Sequence, residues 1–118
     1  MKTGQQLLEE ARARIREISA ADAVAMKKRG EDVLFLDVRE PNEWNLGRIP
    51  GATFLPRGNL ESKIEGVAPR EKTVIVYCAR GNRSAFAADT MQQMGYRDVV
   101  SMAGGWGAWV AAGGDVEG

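Results

Sequence analysis

Two continuous apolar runs constrain this chain most: Val33-Leu34-Phe35-Leu36-Asp37-Val38 and Thr73-Val74-Ile75-Val76-Tyr77. Neither alternates polar with apolar, as a strand with one wet face would. Each therefore reads as a strand buried on both faces. Such strands belong to parallel sheets, whose neighbours need crossover connections and whose faces are covered by helices. The expected class is an α/β layer fold with a central, mostly parallel sheet flanked by helices. Folds of this kind bind ligands outside the carboxyl ends of the strands. Asp37, Val38 and Arg39 leave one strand at that edge, and Cys78 to Arg83 leave the other.

The flanking segments supply the covering helices. Thr3-Gly4-Gln5-Gln6 matches a capping box, and Leu7, Leu8, Ala11, Ile15 and Ile18 follow at helical spacing, which predicts a helix over 4–16. Ser19-Ala20-Ala21-Asp22 starts a second helix that stops at Gly30. Pro41 opens a short helical turn through Trp44, Ala52 to Leu55 reads as a short strand, and Leu60 to Ile64 as a short helix. A helix over 84–94, with Phe86, Ala87, Met91 and Met94 inward, ends at Gly95. Val99-Val100 is the last expected strand and Trp106 to Ala112 the last helix. The glycine-rich tail after it is expected to fray.

The second apolar run leads straight into the single cysteine, a cationic glycine-containing loop and a helix start: Cys78-Ala79-Arg80-Gly81-Asn82-Arg83-Ser84. Strand, loop and helix N-terminus together form a cradle of backbone N–H groups that favours negative charge. Gly81 permits the tight curl, and Arg80 and Arg83 add charge-assisted binding of an oxyanion. A thiol in that position favours its thiolate form and acts as a nucleophile. The plainer alternative is an inert buried cysteine, the usual fate of a lone strand-end thiol.

Composition narrows the chemistry. Histidine is absent, which excludes Ser-His-Asp and Cys-His catalysis and leaves no zinc-ligand set. Any nucleophile must be activated by backbone dipoles and cations. Lys+Arg and Asp+Glu balance at 16 each, so no basic field for nucleic acid exists. No segment is apolar enough to resemble a leader peptide or a membrane span, so a cytoplasmic, reducing setting with a free thiol is expected.

The chain resembles the single-domain rhodaneses, a group of sulfurtransferases. The matching pieces are Leu36-Asp37-Val38-Arg39-Glu40, Gly47-Arg48-Ile49-Pro50-Gly51-Ala52, Leu55-Pro56-Arg57, Val76 through Ser84, and Gly104-Gly105-Trp106 with Ala108-Trp109. They occur in the family's order and span roughly residues 16 to 113. The resemblance implies a rhodanese-like three-layer fold, with residues 1–16 an N-terminal helical extension, 17–113 the domain and 114–118 a flexible tail. It also implies double displacement: Cys78 takes the outer sulfur of thiosulfate or a related donor, then passes it to cyanide or a thiol. Ala79, Arg80, Gly81, Asn82, Arg83 and Ser84 would bind the donor, with Arg83 the principal anion ligand. Asp37, Arg39 and Arg57 would support the site, Asp37 by orienting neighbours and Arg57 near the pocket entrance.

No cofactor or metal is implied. The expected partners are a small sulfur donor and a thiophilic acceptor, with a sulfur-acceptor protein as a further partner and neither nucleic acid nor membrane. A monomer or weak dimer is expected, and the N-terminal helix would pack on the domain or dock a partner. One departure stands out: Arg48 occupies the family's usual histidine position, which is expected to make the pocket rim more cationic. Two other readings stay open. One is a small phosphatase or arsenate reductase, although the dual-specificity phosphatases of this fold use five residues between cysteine and arginine, where Cys78 and Arg83 here enclose four. A sulfur-carrier or partner-binding module would use the same persulfide with little thiosulfate turnover.

Overall fold

Two parallel pairs built on the apolar runs organise the computed structural model, which describes residues 1–118. Strand β2 (Leu34–Asp37) pairs with β4 (Val74–Tyr77), setting Leu36 opposite Val76 and Asp37 opposite Tyr77. On either side lie β3 (Thr53–Phe54) against β2 and β5 (Val99–Met102) against β4, and β1 (Arg16–Ile18) completes the edge beside β5. The sheet is parallel throughout, in the order β1-β5-β4-β2-β3, as the apolar runs require.

Helices cover both faces: α1 (Gly4–Arg14), α2 (Ala20–Lys28), α3 (Pro41–Leu46), α4 (Leu60–Val67), α5 (Asn82–Gln93) and α6 (Gly105–Ala111). The strand period of two divides β4 between two cores. Val74, Val76 and then Cys78 face a core completed by Leu60 and Ile64 of α4 and Ala87, Ala88 and Met91 of α5. Ile75 and Tyr77 face the other, with Ala23 and Val24 of α2 and Trp109 of α6. Topology therefore delivers Cys78 to the carboxyl edge of the sheet, on the α5 side. Met94 packs against that first core, whereas Phe86, also expected inward, is only half-buried.

The first helix forms as its capping box predicts. Gln6 N–H donates to Thr3 Oγ1 at 3.1 Å and the Thr3 amide donates to the Gln6 side chain at 2.8 Å. It ends two residues short of the expected boundary, because Ile15 turns extended and residues 16–18 pair with β5. Residues three apart share a helix face but point to opposite faces of a strand. Accordingly, Ile15 packs on one core and Ile18 on the other. Helix α1 lies on α5, burying Leu8 and Ala11, with Arg14 forking onto Asp89 at 2.9 and 2.8 Å.

The expected flexible tail over 114–118 is instead laced back onto the domain. Trp109 Nε1 donates to the Asp115 carbonyl at 2.9 Å, and Arg48 and Glu117 exchange both backbone hydrogen bonds at 2.9 Å. Gly114 lies flat on the Trp109 indole, where any side chain would collide with the ring. Without a Cβ there, the chain turns closely enough to bring Glu117 onto Arg48.

Candidate active site

Past Tyr77 the chain cannot continue as strand, because Gly81 takes φ 102° and ψ −2°, a conformation that L side chains rarely adopt. That turn makes Gly81 the N-cap of α5 and swings two amides toward sulfur. Gly81 N–H donates to Cys78 Sγ at 3.1 Å, and Ser84 N–H at 3.3 Å. The Ser84 hydroxyl lies 3.5 Å from Sγ and 2.7 Å from the buried Ser101 Oγ on β5. The residue carrying the thiol is 1% exposed, enclosed by donors and not by apolar groups alone.

A second glycine pair forms the back of the loop. Trp106 N–H donates to the Cys78 carbonyl at 2.8 Å, and Gly104 and Gly105 both have positive φ (75° and 60°). A Cβ on Gly105 would lie 2.6 Å from the Ala79 carbonyl carbon. Cys78 opens into a pocket of about 300 Å³ shared with Glu43, Ala79, Arg80, Asn82 and Arg83. A depression of about 350 Å³ elsewhere, lined by Arg16, Asp32, Thr73 and Asp98 among others, contains no cysteine.

The loop residues singled out from sequence thus converge, but their side chains divide the work differently. Arg83, on the first turn of α5, is gripped by Glu43 from α3, with Nη1–Oε1 2.7 Å and Nη2–Oε2 3.0 Å. The guanidinium hydrogen bonds, reinforced by a backbone bond from Glu40, hold the Glu43 carboxyl at a pKa of about 2. Arg80 is exposed and takes part in no ion pair. Asn82 accepts from Arg12 Nη2 at 3.0 Å, so α1 touches the loop.

Asp37 and Arg39 stand outside the pocket lining. Arg39 Nε contacts both Asp37 oxygens at 3.0 Å, and its Nη2 reaches Asp37 Oδ2 and the Gly47 carbonyl at 2.7 Å each. Its Cζ lies 5.0 Å from the Trp106 ring centroid and 5.6 Å from that of Tyr77. The guanidinium thus packs beside Tyr77, which precedes Cys78, and Trp106, whose amide donates to the Cys78 carbonyl. Burial, followed by the Asp37 charge, pushes the Tyr77 phenol far above its usual range.

Neither Arg57 nor Arg48 is among the residues that line the pocket. Arg57 is held by Glu61 at 2.9 Å and Thr90 at 3.2 Å, linking α4 to α5. Arg48 adds no charge to the rim: its Cζ lies 4.6 Å from the Trp44 ring centroid, and Nε contacts Glu117 at 3.3 Å. Glu43, Arg12 and Ser101 were missed, since each meets the loop from a distant element. The Glu40…Glu43 spacing at the start of α3, which forms a capping box, was the one local signal that Glu43 would be fixed in place.

A model of the rhodanese-like domain matches residues 19–112. The chain belongs to the rhodanese-like domain family. Among its relatives are the thiosulfate sulfurtransferase GlpE of Pseudoalteromonas translucida, 37% identical over 70% of this chain and 77% of that protein. The probable adenylyltransferase/sulfurtransferase MoeZ of Mycobacterium tuberculosis is 38% identical over 68% of this chain, which spans only 21% of MoeZ. A putative sulfur carrier protein, YrkF of Bacillus subtilis, is 33% identical over 67% of this chain and 42% of its own length.

Solved rhodanese-like structures agree in fold. A rhodanese-related protein of Thermoplasma volcanium superposes with a TM-score of 0.76 at 34% identity, over 86% of this chain and 97% of that one. A Rhodopseudomonas palustris protein of unknown function, described as a possible tyrosine phosphatase, gives a TM-score of 0.91 at 40% identity. That match covers 99% of this chain and 96% of the other, and so includes α1.

Proposed function

We propose that this chain is a sulfurtransferase carrying sulfane sulfur as a persulfide on Cys78. The observation that carries this reading is the pair of amides, Gly81 N–H at 3.1 Å and Ser84 N–H at 3.3 Å, aimed at a sulfur that opens into a pocket. Donors fixed in advance around an anionic sulfur stabilise it without reorganisation, as an oxyanion hole does. The relatives named thiosulfate sulfurtransferase and putative sulfur carrier support the same chemistry.

In the first half-reaction the Cys78 thiolate attacks the outer sulfur of thiosulfate or a related donor. The donor's S–S bond breaks, sulfite leaves with the bonding pair, and the extra sulfur stays on Cys78 as an anionic persulfide. In the second, cyanide or a thiolate attacks that outer sulfur, and the Cys78 thiolate departs. Charge balances in both steps, with no cofactor or metal taking part. Arg80, Asn82 and Arg83 line the approach, and Ala79 provides a wall without bulk. Asp37 and Arg39 position the loop. Residues 17–113 form the working domain, a monomer or weak dimer in a reducing cytoplasm where the thiol stays free.

Intact mass after incubation with thiosulfate or an organic persulfide tests the reading. The expected result is one added sulfur, removed by cyanide and absent from Cys78→Ala. No adduct with either donor overturns it. Sulfur uptake from a persulfide with slow thiosulfate turnover would mark the chain as a carrier, the reading that YrkF favours. Phosphatase chemistry is disfavoured because four residues between Cys78 and Arg83 make a cradle too small for a tetrahedral phosphate.

A further inference from the structure

The pocket contains a carboxylate that sulfonate binding does not call for. Glu43 lines it beside Cys78, and its two oxygens occupy both terminal nitrogens of Arg83 at 2.7 and 3.0 Å. The carboxylate is itself fixed, since Glu43 Oε1 also accepts from the Glu40 amide at 2.9 Å. Around the sulfur, the charge of Arg83 is thus already matched by Glu43, and Arg80 is the one pocket cation in no ion pair. A dianion approaching the Cys78 thiolate meets a lining with one net positive charge. Glu43 takes two of the five N–H donors of Arg83 and offsets its charge, so a dianion gains less from the donors that remain.

We infer that Glu43 is a donor-selecting residue that offsets the charge of Arg83 and biases this pocket toward organic persulfides over the thiosulfate dianion. The inference rests on the sulfur-transfer reading above. The step it favours is attack by the Cys78 thiolate on the outer sulfur of an R–S–SH donor. The S–S bond breaks and RS⁻ leaves to take a proton from water, while the transferred sulfur keeps its proton until the new persulfide ionises. The donor's remainder brings no sulfonate, so it need not compete for Arg83. The two amides on Sγ stabilise the thiolate that makes this attack.

The test compares sulfur loading of Cys78, by intact mass, from thiosulfate and from 2-hydroxyethyl persulfide, whose remainder is uncharged. The ratio of kcat/KM for thiosulfate to that for the persulfide is expected to rise about tenfold in Glu43→Gln, the change expected from freeing one charged contact. An unchanged or lower ratio in the folded variant overturns the inference. If Glu43→Gln does not fold, sulfate inhibition of the unaltered protein decides. A constant weaker than about 10 mM fits an Arg83 whose charge is offset, and a tighter one overturns the inference. Should the unaltered protein take sulfur from neither donor, the sulfur-transfer reading fails. Loading of Cys78 without the ratio shift removes only the role of Glu43.

Discussion

Gly105 lies directly against the carbonyl groups of Cys78 and Ala79, so closely that a Cβ there would sit 2.6 Å from the Ala79 carbonyl carbon and closer still to the Cys78 oxygen. Its φ of 60° is unfavourable for an L side chain, and the obstructing atoms are main chain, which cannot rotate aside. The loop that turns two amides onto sulfur therefore has its path set by a residue on α6. Gly105→Ala is expected to displace the loop and lower sulfur loading of Cys78 on the order of 100-fold, since small misplacements at a reacting centre are costly. Stopped-flow loading kinetics beside a thermal melt check this. Unaltered kinetics in a folded variant would show that the loop does not depend on this contact.

The buried Asp37–Arg39 pair is 0% and 3% exposed at its side chains, with the guanidinium between Asp37, the Gly47 carbonyl and the Trp106 ring. Removing one member of such a pair leaves an uncompensated buried charge, at a cost of about 3 to 5 kcal/mol. Arg39→Met should therefore destabilise the fold by that amount in urea titrations. Arg39→Lys should recover only part, because an ammonium offers neither the fork nor the flat face. A loss below about 1 kcal/mol in Arg39→Met would show that the pair does not brace the fold.

The residues that sequence revealed and those it hid differ in one physical respect. Cys78, Gly81, Arg83 and Ser84 lie within a single turn, and a strand-to-helix junction has a local signature: an apolar run, a glycine and a helix start. Arg83 and Ser84 even belong to the first turn of α5, which begins at Asn82, two residues before the expected boundary. What Arg83 binds is a different matter, because Glu43 comes from α3, 40 residues earlier in the chain. Strand β1 was hidden for a related reason. Three residues pair only because β5 is already in place, and Ile15 and Ile18 suit either a helix face or the two faces of a strand. The tail carries no apolar period at all; Gly114 against Trp109 and the Arg48–Glu117 bridge are tertiary facts.

Acid should draw on the Arg83–Glu43 pair together with the other carboxylates that brace the fold. The Arg83 guanidinium holds the Glu43 carboxyl at a pKa of about 2, against an ordinary value of 4.5. A depressed folded-state pKa means that the pair contributes its full stability above the unfolded value, and that this is lost as pH falls through about 2. Asp89, held down by Arg14, and Asp98, held down by Thr73 and Arg16, act in the same direction. The urea midpoint is therefore expected to fall steadily below pH 4.5, with a shallower fall in Glu43→Gln. Equal slopes for the two proteins would show that Glu43 titrates alike in both states.

Loop length should separate sulfur from phosphate. Four residues between Cys78 and Arg83 fit one sulfur atom between the Gly81 and Ser84 amides, at 3.1 and 3.3 Å. A tetrahedral phosphate needs donors set further back, around three oxygens as well as the attacked atom. The close approach of Gly81 to the Gly104 backbone leaves the present loop little room to widen, since even a Cβ there would be 3.3 Å from the Gly104 nitrogen. One glycine inserted after Asn82 would lengthen the path into α5 and release the Ser84 amide from Sγ. Hydrolysis of p-nitrophenyl phosphate is expected to be negligible in the unaltered protein and measurable in the insertion variant, while sulfur loading from a persulfide falls. If loading and hydrolysis both stay unchanged in a folded variant, loop size does not set the choice, and selectivity must reside in the pocket's charges, with Glu43 foremost among them.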